Sequence, residues 1–137
     1  MLDFSTLNIW AILVATIINC VVGAFWYSPG AFAKQWEKHT GVDILKIPPK
    51  DANRIISFVA LSAALQAFTL AVILRSLDVT SAAQGLAIGL FLWLGLVTAT
   101  TVGVTLYSRR SWKFLWLNAS YFLVVMAVNA ILLSIWR

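Results

Sequence analysis

Six polar side chains interrupt long apolar stretches: Asn19, Ser62, Gln66, Thr98, Thr101 and Asn118. Each belongs to a set at helical spacing. Thr16, Asn19 and Gly23 form one, Ser62, Gln66 and Thr69 a second, and Thr98, Thr101 and Thr105 a third, while Asn118 and Asn129 are eleven apart and share a face. Neutral amides and hydroxyls of this kind offer hydrogen bonding and no acid–base chemistry. They either couple neighbouring helices, at ~0.6 kcal/mol each on average, or line a pocket for a polar solute. Groups for other chemistry are absent from these stretches: no Asp, Glu, Lys, Arg or His lies deep in any of them, whereas proton-coupled carriers and ion pumps need such a residue. There is no glycine-rich phosphate loop and no Cys/His metal cluster. His39 has no second ligand at i+3 or i+4, and Ser28, Ser108 and Ser111 have no evident base in the sequence around them. The expectation is a protein without catalytic residues, metal or cofactor. An enzyme acting on lipid through Tyr27, Ser28 and His39 is a weaker reading.

A second concentration of side chains sits in GAFWYSPGAFAKQW, Gly23 to Trp36. Trp26 and Tyr27 fall where an apolar helix of this length reaches the headgroup layer, which amphipathic rings favour. Pro29 disfavours helix at Ser28, and Gly30 frees the backbone to turn. Phe32, Trp36 and His39 then recur at i, i+4 and i+7 with charged residues between them. The pattern predicts a corner: a span, a break, and a short interfacial helix over about 30–40. It serves as an anchor that fixes depth and tilt, or else Trp26, Tyr27, Ser28 and Trp36 wall a binding pocket.

The elements that must hold these residues follow from charge. The chain of 137 residues is 61% hydrophobic and 11% charged, against ~25% charged in a soluble domain. No charge falls in 4–33, 55–74, 79–108 or 114–136. Each block matches the ~20 residues needed to cross a bilayer as a helix, where every backbone polar group must be satisfied within the segment. The predicted fold is therefore an all-α membrane protein, a four-transmembrane-helix bundle in a single domain, with spans at about 6–27, 55–75, 83–107 and 114–136. The start MLDFST has no Lys or Arg, so the first span is expected to stay in the mature protein and not to be a signal peptide. Cys20 is the only cysteine, which excludes an internal disulfide.

Orientation follows from the loops. Lys34, Lys38, Lys46, Lys50 and Arg54 lie between spans one and two, and Arg109, Arg110 and Lys113 between spans three and four; the other side has Arg75 and Arg137. Cytoplasmic loops take the excess of Lys and Arg, which predicts N-out/C-out with both basic loops cytoplasmic. So placed, Arg109, Arg110 and Lys113 suit lipid headgroups, not nucleic acid. At ~1.5 Å per residue, Asn19, Ser62, Thr98, Thr101 and Asn118 all lie ~7–14 Å from that boundary and can meet at the bundle centre. In the loop between spans one and two, Pro48 and Pro49 force an extended path, and Asp51 or Asn53 can cap span two. Gly85, Gly89, Gly95, Ala99 and Gly103 on span three, and Ala63, Ala67 and Ala71 on span two, make small-residue ladders. These predict packing of spans two and three, within one chain or as a homo-oligomer. Gly23, Tyr27, Ser28 and Trp36 also echo Gly103, Tyr107, Ser108 and Trp116 at constant offset, as a parallel repeat of two hairpins would.

Gly23-x-x-Trp26-Tyr27-Ser28-Pro29-x-x-Phe32-x-x-x-Trp36 resembles the signature of the domain of unknown function 1761 family of small bacterial membrane proteins. The glycine- and threonine-rich third span, Tyr107 with Arg109 and Arg110, Asn118-Ala119-Ser120-Tyr121 and the closing Ile-Trp are similar too. Ala33 stands where glycine is expected. The resemblance implies a four-span protein of the bacterial cytoplasmic membrane, marks the corner as the family's own feature, and implies no activity. The functional expectation is a non-catalytic module that binds a lipid, a hydrophobic molecule or a partner protein. The alternative is an oligomeric channel or transporter for a small neutral or weakly polar solute.

Overall fold

A computed structural model describes residues 1–4 and 6–136; Arg137, counted above in the charge bias, lies outside the described residues. Among these residues there are helices and no strands. Four helices are long and apolar enough to cross a membrane: Ile9–Trp26 (span one), Pro49–Ser76 (span two), Ala82–Tyr107 (span three) and Trp112–Ile135 (span four). A short helix, Ala33–Thr40, and a 3-10 turn, Ile44–Lys46, lie between spans one and two.

Local chemistry sets the boundaries. The Asn8 side chain accepts hydrogen bonds from the backbone N–H of Trp10 and Ala11 at 3.0 and 3.2 Å and starts span one. Ser81 and Ser111 do the same for spans three and four. Span two starts earlier than the sequence suggested. Pro49 occupies its first helical position, Pro48 is the cap residue, and neither Asp51 nor Asn53 caps. A proline at that position has no N–H to leave unsatisfied, and its fixed φ suits the helix. Spans two and three end alike. Val79 N–H bonds to Leu74 O and Asp78 N–H to Arg75 O; Arg110 N–H bonds to Thr105 O and Arg109 N–H to Leu106 O. Both are Schellman turns, and their left-handed positions are filled by Asp78 (φ 51°) and Arg109 (φ 54°).

Span four is the hub and packs on all three other spans, span one also packs on span two, and spans two and three hardly touch. Within one chain, this corrects the expected packing of spans two and three through their ladders. Their small residues are spent elsewhere. A Cβ added to Gly85 would lie 2.6 Å from the Ala130 carbonyl, and one on Gly89 2.9 Å from that of Met126. These glycines therefore let span three press its backbone against span four. Ala63, Ala67 and Ala71 are buried, and Ala67 and Ala71 pack in a cluster with Ala11 and Ala15 of span one.

Span three changes character midway. Trp93–Thr98 is a π-helical segment, which holds more residues per turn than an α-helix. One extra residue turns everything after it by ~100°. The second half consequently buries Thr98 and Thr105, while Gly95 and Gly103 have nothing within 4 Å of an added Cβ. Gly103 lies eighteen residues after Gly85, a whole number of α-turns, so an unbroken helix would aim both at span four. Thr100 and Thr101 donate to the Leu96, Val97 and Thr98 carbonyls that the wider turn leaves available.

Candidate functional site

The corner is a packed joint. Tyr27 N–H bonds to Gly23 O at 3.0 Å and Phe32 N–H to Trp26 O at 3.0 Å, which folds the chain back on itself around Ser28 and Pro29. Trp26 Nε1 donates to Leu117 O at 3.2 Å. The Tyr27 hydroxyl donates to Asn118 Oδ1 at 2.9 Å, and Asn118 Nδ2 donates to its own helix at Phe114 O. Phe32 packs on Trp26 with ring centroids 4.7 Å apart, Trp36 meets Tyr27 edge-on at 6.3 Å, and Tyr121 stands 5.6 Å from Tyr27. The polar atoms of Trp26 and Tyr27 are thus committed to span four, and Phe32 and Trp36 hold the short helix to them. His39 continues that face and packs on Phe114.

The halves of the sequence echo serve different ends. A Cβ on Gly23 would lie 3.1 Å from the Tyr121 hydroxyl, whereas Gly103 faces open space. Tyr27 is in the joint, and Tyr107 is 94% exposed.

Deeper, a hydrogen-bond relay joins three spans. The Tyr121 hydroxyl donates to Asn19 Oδ1 at 2.6 Å, and Asn19 Nδ2 donates to Gln66 Oε1 at 2.7 Å. Asn19 and Tyr121 are buried. Elsewhere Asn129 Nδ2 donates to Ala15 O at 3.2 Å and Trp93 Nε1 to Ala119 O at 2.7 Å, two more ties between span four and its neighbours.

Because spans two and three diverge, a lateral groove of about 300 Å³ opens between them. Ser62, Leu65, Gln66 and Thr69 form one wall, Leu92, Leu96 and Val97 the other, and Met126 of span four the floor. The second wall belongs to the π segment and the turn before it. Helical hydroxyls in this chain commonly turn back to their own backbone: Thr16 to Ile12 O, Ser57 to Asn53 O, Ser76 to Val72 O and Ser120 to Trp116 O. Ser62 and Thr69 make no such bond and line the groove. A smaller cavity among Asn8, Arg75 and Trp136 has about 20 Å³, room for about one water.

The expected meeting of polar residues at the bundle centre is therefore only partial. Asn19 and Gln66 come together; Asn118 pairs instead with Tyr27; Ser62 lies in the groove. Thr101 bonds its own helix, and Thr98 is buried with its Oγ1 unpartnered among the described residues. Tyr121 is the residue missed by reading polar spacing alone. It stands three positions after Asn118, on the same helical face, and that spacing was the available signal. Leu96, Val97 and Met126 carried none, since an apolar groove wall looks like any lipid-facing residue.

At the same end as the corner, the basic loop between spans three and four meets the short helix. Arg110 donates to the His39 carbonyl and lies over the Phe114 ring at 5.9 Å. His39 Nδ1 is 3.3 Å from Ser111 Oγ. This corrects the sequence reading in which Ser111 has no base nearby. The same hydroxyl accepts the Phe114 N–H as the cap of span four. Arg109 and Lys113 are exposed beside it. Among the described residues no three His, Cys, Asp or Glu side chains stand close enough together to hold a metal ion.

A family model described as Protein of unknown function (DUF1761) matches residues 10–134, from the first turn of span one to the last of span four. No curated protein and no solved structure matches the chain.

Proposed function

The chain belongs to the DUF1761 family of proteins of unknown function, and from that premise we propose that it is a non-catalytic membrane module that binds a hydrophobic molecule from within the bilayer. The observation that carries this reading is the groove between spans two and three. At about 300 Å³ it reaches the lower end of small-molecule sites, ~300–1,000 Å³, which are mostly apolar with a few placed polar groups. It opens sideways, toward the hydrocarbon that a bilayer presents to these spans. Its ligand therefore enters from the membrane, without crossing it through an aqueous path, and this favours binding over a channel.

The rest of the molecule supports such a role. The corner and the relay fix spans one, two and four against one another, and Gly85 and Gly89 seat the first half of span three on span four. The short helix Ala33–Thr40 lies in the headgroup plane in this reading, with both basic loops on the cytoplasmic face of a bacterial inner membrane. Arg109, Arg110 and Lys113 then attract anionic headgroups at ~1 kcal/mol per charge near the surface.

Leu96→Trp tests the reading, because the indole fills the groove from an exposed position. Purified wild-type protein is expected to retain co-extracted hydrophobic molecules that mass spectrometry finds depleted in Leu96→Trp. Identical profiles from the two folded proteins refute it.

A further inference from the structure

We propose that the groove selects an apolar molecule bearing a carbonyl oxygen near the bilayer midplane, and that Gln66 Nε2 is the group that reads it. The proposal rests on the groove being the ligand site and adds the ligand's chemistry.

The relay fixes what the groove presents. Asn19 Oδ1 accepts from the Tyr121 hydroxyl at 2.6 Å. The other end of that amide, Nδ2, is a donor only, so the Gln66 atom it meets at 2.7 Å is the acceptor Oε1. Gln66 therefore turns its Nε2 away from span one, and that NH₂ has no protein partner among the described residues while Gln66 lines the groove. A chain of donors running from Tyr121 through Asn19 ends with a free donor on the groove wall. Ser62 and Thr69, one turn to either side, add hydroxyls that have no protein partner among the described residues. Polar groups left unpaired in hydrocarbon are costly, and an acceptor oxygen on the occupant relieves that cost.

Depth narrows the class. Arg54 and Arg75 flank the apolar part of span two and are 21 residues apart, or ~31 Å of helix, close to the ~30 Å hydrocarbon thickness. Gln66 stands ~18 Å from one and ~13 Å from the other, within ~3 Å of the middle. The ester carbonyls of a glycerophospholipid stay near the interface and do not reach it. A quinone ring or a keto-isoprenoid, whose polar atoms travel with an apolar body, does.

The test uses the full chain in phosphatidylcholine nanodiscs with two tritiated probes: a decyl-tailed benzoquinone and the decylbenzene that lacks its carbonyls, each corrected for empty discs. Wild type is expected to bind the benzoquinone about tenfold more tightly than the hydrocarbon, the effect of about one hydrogen bond. Gln66→Leu is expected to bind both alike, and Leu96→Trp neither. In the wild type, the Gln66 side-chain amide protons are expected to shift downfield with the benzoquinone and not with decylbenzene, a readout that does not depend on the variant folding. Equal binding of both probes by wild type, a preference that survives Gln66→Leu, or an unmoved Gln66 amide overturns the carbonyl proposal and leaves the groove reading standing. Absence of any binding above empty discs overturns both. A wild-type dimer that Leu96→Trp dissociates, with no probe bound, assigns the groove to a second copy of the chain and likewise overturns both.

Discussion

Removing one oxygen atom, in Tyr121→Phe, probes the relay with little change in packing. The ring keeps its contacts with Tyr27, at 5.6 Å, and with Phe122, at 4.9 Å. What is lost is the bond to Asn19 Oδ1 at 2.6 Å and the longer one to the Asn19 carbonyl at 3.4 Å, and Asn19, 4% exposed, has no other donor for that Oδ1 among the described residues. Interhelical hydrogen bonds in membranes average ~0.6 kcal/mol and reach ~1.7, while a buried acceptor left unsatisfied costs ~1–3 kcal/mol. The bond is short and both partners are buried, so the expected loss is at the upper end, ~1–2 kcal/mol. Tyr27→Phe is the control. Its bond to Asn118 is longer, 2.9 Å, and only part-buried, and its expected cost is about half a kcal/mol. Reversible unfolding in mixed detergent–SDS micelles, followed by helicity, measures both. A double-mutant cycle with Asn19→Ala should give a coupling of ~1 kcal/mol. A Tyr121→Phe loss below ~0.3 kcal/mol, no larger than that of Tyr27→Phe, would refute the view that the relay joins the spans.

Other substitutions separate parts of the same fold. Gly89→Ala places a methyl 2.6 Å from Ala130 Cβ and 2.9 Å from the Met126 carbonyl and should destabilise by ~1–3 kcal/mol. Gly103→Ala meets open space and should stabilise by up to ~1 kcal/mol; the same micelle titration reads both signs. Asp78→Gly removes a side chain from a left-handed position (φ 51°) and should raise stability by about 0.5–1 kcal/mol, the left-handed penalty less the entropy that glycine adds to the unfolded chain. Arg110→Ala breaks the bond to the His39 carbonyl, and amide exchange across Ala33–Thr40 should quicken about tenfold while span four stays protected.

Much of this architecture could be read from charge and proline alone. The four uncharged blocks became four helices because a single segment in hydrocarbon can satisfy its own backbone only as a helix, and the corner turned where Pro29 required it. Phe32, Trp36 and His39, chosen by spacing, do face the bundle, since a helix docked on a surface must bury one stripe. Partner choice was harder. Small-residue ladders say that a backbone approaches closely, and not which one; Gly85 and Gly89 chose span four because span two had already given its alanines to span one. The π segment had no signature, so the turn that moved Gly103 away from span four could not be anticipated. The groove followed from both, as did the separation of Ser62 from Asn118. Tyr121 was hidden among aromatics, and its spacing from Asn118 marks its face but not its partner, Asn19.

The central claim is that spans two and three stand apart and leave a site open to the bilayer. Spin labels at Leu65 and Leu96, on opposite walls of the groove, with Phe91 as a lipid-facing reference, test it through collision with dissolved oxygen in nanodiscs. All three positions are exposed, so all three labels should be oxygen-accessible. Low oxygen access at Leu65 and Leu96 from the outset, with Phe91 high, would mean that the two spans close on each other and would contradict the account.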